Sequence, residues 1–98
     1  MPKTRLAAAI AKPDYAWFEK IIKKRMIELD TWYQGLGKKV GRNAGSIRSW
    51  VKNPETFRWG DLLELLAALE FSAAEQDEIL VMLRKEKNKD WEAKQNAS

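Results

Sequence analysis

The sequence predicts an all-α fold of five helices, on three observations. Helix-start signals recur at Asp14, Thr31, Asn43 and Ser72, each ahead of a candidate helix. Apolar residues within these stretches recur every three or four positions instead of alternating. Gly37 and Gly41 stand four apart, with Ile47 six beyond Gly41 and Trp50 three later, a spacing that suits two short helices packed across a tight turn. At 98 residues the chain has the length of one domain, expected over 14–87 between a basic arm (1–13) and a polar tail (88–98).

The first helix is expected from Tyr15 to Leu29, with Asp14 as its cap. Phe18, Ile22, Met26 or Arg25, and Leu29 recur on one face, widened by Ile21. Lys20, Lys23, Lys24 and Arg25 fall mostly on the other side, a solvated face with phosphate contact as a second role.

Thr31 and Gln34 have the spacing of a capping box, which opens a second helix near Trp32 and runs it to Val40. Gly35 and Gly37 each weaken that helix by about 1 kcal/mol relative to alanine. Close approach of the next helix explains Gly37; the sequence offers no reason for Gly35. Leu36 and Val40 point inward. Gly41 is expected to take the positive φ of a tight turn, Arg42 and Asn43 complete it, and Asn43 caps a helix from Ala44 to Lys52. Asn53-Pro54 ends that helix, because proline disfavours the helical conformation in the residue before it. Gly37, Val40, Gly41, Ile47 and Trp50 are thus the core of a helix-turn-helix, with Ile47 and Trp50 as one buried stripe and Val51 on the same apolar side. The outward face reads Ala44, Gly45, Ser46, Arg48, Ser49 and Lys52. It is small, polar and basic, which is what a helix needs to lie deep in a groove lined by phosphates.

Phe57 and Trp59 flank Arg58 and read as a lid on the core, with a base-stacking platform for single strands as the alternative. Asp61 to Phe71 is apolar around most of its circumference, so it is expected to be a central helix buried on several sides. Ser72 and Glu75 form another capping box, opening a last helix through Ile79, Leu80 and Leu83 to about Lys87. Val81 and Met82 lie off its stripe, as a subunit interface or simply as exposed apolar residues. The residues beyond Lys87, including Trp91, are expected to fray.

Charge is unevenly distributed along the chain. Residues 1–58 hold thirteen Lys/Arg against five Asp/Glu, whereas residues 59–83 hold six acidic residues and no basic one. A basic end and an acidic end on one domain suit a binder of polyanions. With no cysteine and no histidine, thiolate and imidazole chemistry and most zinc or iron sites are excluded. Asp77 and Glu78 point about 100° apart on a helix and share no site, and Ser46 and Ser49 lack a base, so no enzyme and no cofactor is expected. The Gly35-Leu36-Gly37 run beside Lys38 and Lys39 lacks the strand and third glycine of a dinucleotide site and the Gly-Lys-Ser/Thr of a P-loop. No apolar run reaches the roughly 20 residues that span a bilayer, and the run Leu6–Ala11 is short for a leader, so no membrane and a cytoplasmic location are expected.

Leu36-Gly37, Val40-Gly41, Ile47 and Trp50, then a proline-containing loop and Leu62-Leu63-Glu64-Leu65 through Leu69, Phe71 and Ser72, together resemble the Cro and lambda-repressor family of helix-turn-helix DNA-binding domains. The resemblance covers roughly residues 14–83. It implies a five-helix lambda-repressor-like domain whose helix Ala44–Lys52 enters the major groove, the docking geometry of the family's known members. It places Ala44, Gly45, Ser46 and Ser49 at base edges, Ala44 and Gly45 offering only close approach or contact with a thymine methyl. Arg48 and Lys52 fall at guanines or phosphates. Lys38, Lys39, Arg42 and Asn43 are expected to add phosphate contacts, and the Lys3–Arg5 arm is similar to the basic arms that wrap DNA in some members. The expected function is sequence-specific or semi-specific double-stranded DNA binding by a phage-like or bacterial transcriptional regulator, as a homodimer. The alternative is an antitoxin-like or adaptor module that holds a protein partner on the same scaffold.

Overall fold

The computed structural model describes residues 13–97, of which 90–97 are described by their backbone alone. Five helices make up the described chain: α1 (Ala16–Glu28), α2 (Tyr33–Val40), α3 (Ala44–Lys52), α4 (Trp59–Ala68) and α5 (Ala73–Ala97). A single 3-10 turn, Pro54–Thr56, joins α3 to α4. There is no strand among the described residues.

Local chemistry explains most of the boundaries. The Asp14 carboxylate accepts the Ala16 N–H at 3.0 Å, so it caps α1 from one residue outside the formal N-cap, Tyr15. The Ser72–Glu75 box forms in both directions: Ser72 N–H donates to Glu75 Oε1 (2.9 Å) and Glu75 N–H to Ser72 Oγ (3.1 Å). The Thr31–Gln34 box does not form, and α2 starts after Trp32 with no side-chain cap. Thr31 is already committed to closing α1. Its N–H donates to Met26 O at 2.9 Å while Asp30 takes the left-handed conformation (φ 52°). The same closure ends α4, where Glu70 has φ 59° and Phe71 N–H donates to Leu66 O.

The core gathers Phe18, Ile22 and Met26 from α1, Leu36 from α2, Ile47 and Val51 from α3, Leu62, Leu65 and Leu66 from α4 with Leu69 at its C-cap, and Ile79 from α5. The four leucines share one face of α4, but Glu64 and Ala67 are exposed. The expectation of burial on several sides is therefore corrected: α4 buries a single broad face, against α2 among others. Phe57 is the lid the sequence suggested, edge-on to Phe18 (centroids 6.4 Å apart) and tilted against Trp50 (5.2 Å). Trp59 is not part of that lid; it begins α4 and is 65% exposed.

Arg25 leaves the solvated face expected for it. Its Nε donates to Leu69 O and its Nη2 to Glu70 O, both at 2.8 Å, and its guanidinium lies 5.4 Å from the Phe71 ring centroid. It therefore satisfies carbonyls at the C-terminal end of α4.

α5 does not fray near Lys87 but continues to Ala97. Two contacts hold it beside the start of α1 and the 3-10 turn. Asp14 N–H donates to Glu86 Oε2 (3.1 Å), and Lys87 Nζ pairs with Glu55 Oε1 (2.6 Å). Glu55 also accepts from the Tyr15 hydroxyl at 3.2 Å. Val81 and Met82 are exposed. No helix among the described residues is long and apolar enough to cross a membrane.

Candidate nucleic-acid interface

The α2–α3 junction is set by two glycines with different tasks. Gly41 has φ 70° and nothing within 4 Å of a would-be Cβ, so its requirement is conformational. Gly37 is buried, and a Cβ there would run into the Arg42 carbonyl oxygen. Its own carbonyl accepts the N–H groups of both Gly41 and Arg42, the latter at 2.9 Å, which closes the end of α2. Asn43 then caps α3 as expected, its Oδ1 accepting the Ser46 N–H at 2.7 Å.

This turn orients α3 with Ile47 and Val51 buried and Trp50 half-buried against Phe57. Of the expected apolar side, Ile47 and Val51 are buried, but Trp50 is corrected to a half-buried position at the edge of the core, beside Val40. Facing solvent are Gly45, Arg48, Ser49 and Lys52. Ala44 packs against the core and Ser46 is half-buried, so the outward strip is narrower than the sequence suggested. Lys38 and Lys39 of α2 are exposed, and Gln34, Lys38, Arg42 and Asn43 line a shallow open depression where α2 meets α3. The enclosed space between Val40, Ile47, Trp50 and Phe57 has no room for a water molecule.

Two of the residues expected at phosphates already have partners. Arg42 Nη2 pairs with Asp61 Oδ1 at 3.0 Å, a half-exposed bridge from the turn to α4, and Asn43 spends its side-chain oxygen on the cap. Lys3 and Arg5 lie outside the described residues.

Tyr33 was missed by the reading of the sequence. It is 2% exposed at the start of α2, and Arg48 lies over its ring with Cζ 5.2 Å from the centroid. Trp32 packs edge-on to the same ring at 5.1 Å. The Tyr33 hydroxyl is buried with no hydrogen-bond partner among the described residues. Burial pushes its pKa above the usual tyrosine value, the Glu19 carboxylate adds to that rise, and Arg48 opposes it. No local pattern marks Tyr33, because its partner lies on the next helix.

Chemically, the arrangement offers ammonium, guanidinium and hydroxyl donors on an exposed strip, suited to a broad anionic surface more than to a small molecule. No family model, curated protein or solved structure matches this chain.

Proposed function

We propose that this protein binds double-stranded DNA through α2 and α3, as a sequence-specific or semi-specific transcriptional regulator of phage-like or bacterial type working in the cytoplasm. In this reading the domain is a lambda-repressor-like helix-turn-helix, α3 lies in the major groove, and two copies occupy a two-fold related site. The observation that carries it is the exposed strip Gly45, Arg48, Ser49 and Lys52, which has no acidic side chain and follows a helix whose last turn carries exposed Lys38 and Lys39. Gly45 gives the helix close approach, Arg48 and Ser49 have hydrogen-bonding reach, and the lysines supply phosphate contacts.

The test is titration of labelled random-sequence duplex at several salt concentrations. Lys38, Lys39 and Lys52 alone give a log–log slope of about −2.7, and the arm lysine and arginine steepen it. Affinity that does not respond to salt overturns the proposal. Selection from random duplexes then separates general from specific binding, and a two-fold motif identifies the dimer.

The exposed, adjacent Val81 and Met82 favour a second reading, a protein-interaction module on the same scaffold. Stoichiometric recovery of a protein partner, with no retardation of any duplex, would transfer the assignment to it.

A further inference from the structure

The arginines around α3 are held in different ways. Arg42 is paired with a carboxylate, and Arg25 is spent on two backbone carbonyls and on Glu28, 3.6 Å away. Arg48 is held by a ring face alone: its guanidinium lies over Tyr33 and makes no hydrogen bond or ion pair among the described residues. A cation held this way is restrained in position while all five of its N–H donors remain available to a ligand.

The platform beneath it cannot follow the arginine outward. Tyr33 sits in the core cluster, wedged by Trp32, with its hydroxyl buried. The exposed neighbours of Arg48 on α3, Gly45 one turn before it and Ser49 directly after it, are small.

We propose that Tyr33 is a positioning residue for base readout: its ring face presents the Arg48 guanidinium, fork outward, to a guanine in the major groove. The preferred ligand is then a duplex with guanine opposite the middle of α3. The inference rests on the DNA-binding reading and adds to it which residue reads a base and what prepares it. Guanine is the base whose O6 and N7 accept both prongs of the fork, whereas a phosphate is served equally well by Lys38, Lys39 or Lys52. An arginine ordered before binding loses less side-chain freedom on contact, so more of the contact energy goes into discrimination.

Two measurements test this, one without DNA. In the free protein, the Arg48 δ-methylene protons are shifted upfield by the ring, and those of Arg58, which has no partner among the described residues, are not. Tyr33→Leu abolishes the shift and Tyr33→Phe restores it. An unshifted Arg48 in the native protein overturns the inference.

The second measurement is selection from a random duplex pool, followed by 7-deazaguanine substitution at each enriched guanine. Removing N7 at one position should weaken binding by roughly tenfold. Tyr33→Leu should lose that discrimination, and Tyr33→Phe should recover it. Arg48→Ala, which removes the fork, tests whether Arg48 is the reader, and the δ-methylene shift of the native protein tests the Tyr33 contact should Tyr33→Leu fail to fold. Salt-dependent binding with no guanine discrimination overturns this inference alone, as does guanine preference that survives in Arg48→Ala or in a folded Tyr33→Leu. Absence of any duplex retention overturns the DNA-binding reading and this one with it.

Discussion

The carbonyl oxygen of Arg42 lies where a side chain on Gly37 would have to go. A methyl group there meets rigid backbone, so Gly37→Ala should cost about 1–3 kcal/mol despite the higher helix propensity of alanine. Gly35 is the control in the same helix. Its would-be Cβ comes within 2.6 Å of Thr31 Oγ1, the end of a side chain that can rotate away. Gly35→Ala should therefore recover part of the propensity gain and come out near neutral, within about 1 kcal/mol. Denaturant melts of both variants check the contrast; equal effects would remove the special role of Gly37.

Glu70 holds a left-handed conformation at φ 59°, where its Cβ is strained and its backbone is needed by Arg25. Glu70→Gly relieves the strain and keeps the carbonyl, so stability should rise by about 1 kcal/mol. A lowered midpoint would mean that the Glu70 side chain has a role not visible in its contacts.

Acid titration should expose the Ser72–Glu75 box. The Ser72 backbone N–H, then its side chain, and more weakly Arg25, hold the Glu75 carboxyl below the ordinary value of 4.5. The folded state therefore binds this proton less readily than the unfolded chain. Its stabilisation is complete above about pH 4.5 and is lost as pH falls through the lower folded value. Glu75→Gln keeps a box-compatible side chain without the titration, so its melting temperature should fall less steeply on acidification than that of the native protein.

Asp61→Asn should release Arg42 at little cost, since a half-exposed ion pair contributes about 0–1 kcal/mol. If the turn faces DNA, the freed guanidinium adds about one phosphate contact and steepens the salt slope by about 0.9. Unchanged slope with retained folding would place Arg42 off the DNA path.

Arg48→Glu combined with Lys52→Glu should abolish duplex retention and leave the helical signal and melting cooperativity intact, because both residues are exposed. Ile47→Asp should instead unfold the domain by burying an unpaired charge. Loss of folding in both would mean that the outward face of α3 is misassigned.

What the sequence made legible was local. Asn43 as a cap, Gly41 as the left-handed turn residue and the Ser72–Glu75 box were all readable because donor and acceptor lie within a few residues. Arg25, Arg42 and Arg48 looked alike as basic side chains facing solvent from a helix or a turn. Their differences come from partners on other elements: backbone carbonyls 44 residues on, a carboxylate 19 residues on, and the Tyr33 ring on the preceding helix. The length of α5 was under-read for a related reason. Its apolar stripe ends near Leu83, but the following Lys and Glu residues are good helix formers, and Glu86 and Lys87 dock onto residues far back in the chain. The outward face of α3 was legible as a face; its narrowing by Ala44 and Ser46 depended on packing against neighbours.

The grip of Arg25 on the two carbonyls that follow α4 also closes a loop in the chain, and α2 and α3 both lie inside that loop. Hydrogen exchange would read the consequence directly. With α1 clasped to the end of α4, the two helices between them have no separate opening route, so their amides should exchange only when the whole domain opens. Arg25→Met would cut the clasp while keeping a long apolar stem, and should let α2 and α3 exchange ahead of the core of α1. A side chain remote from the α3 strip would thereby govern how cooperatively that strip is held in shape.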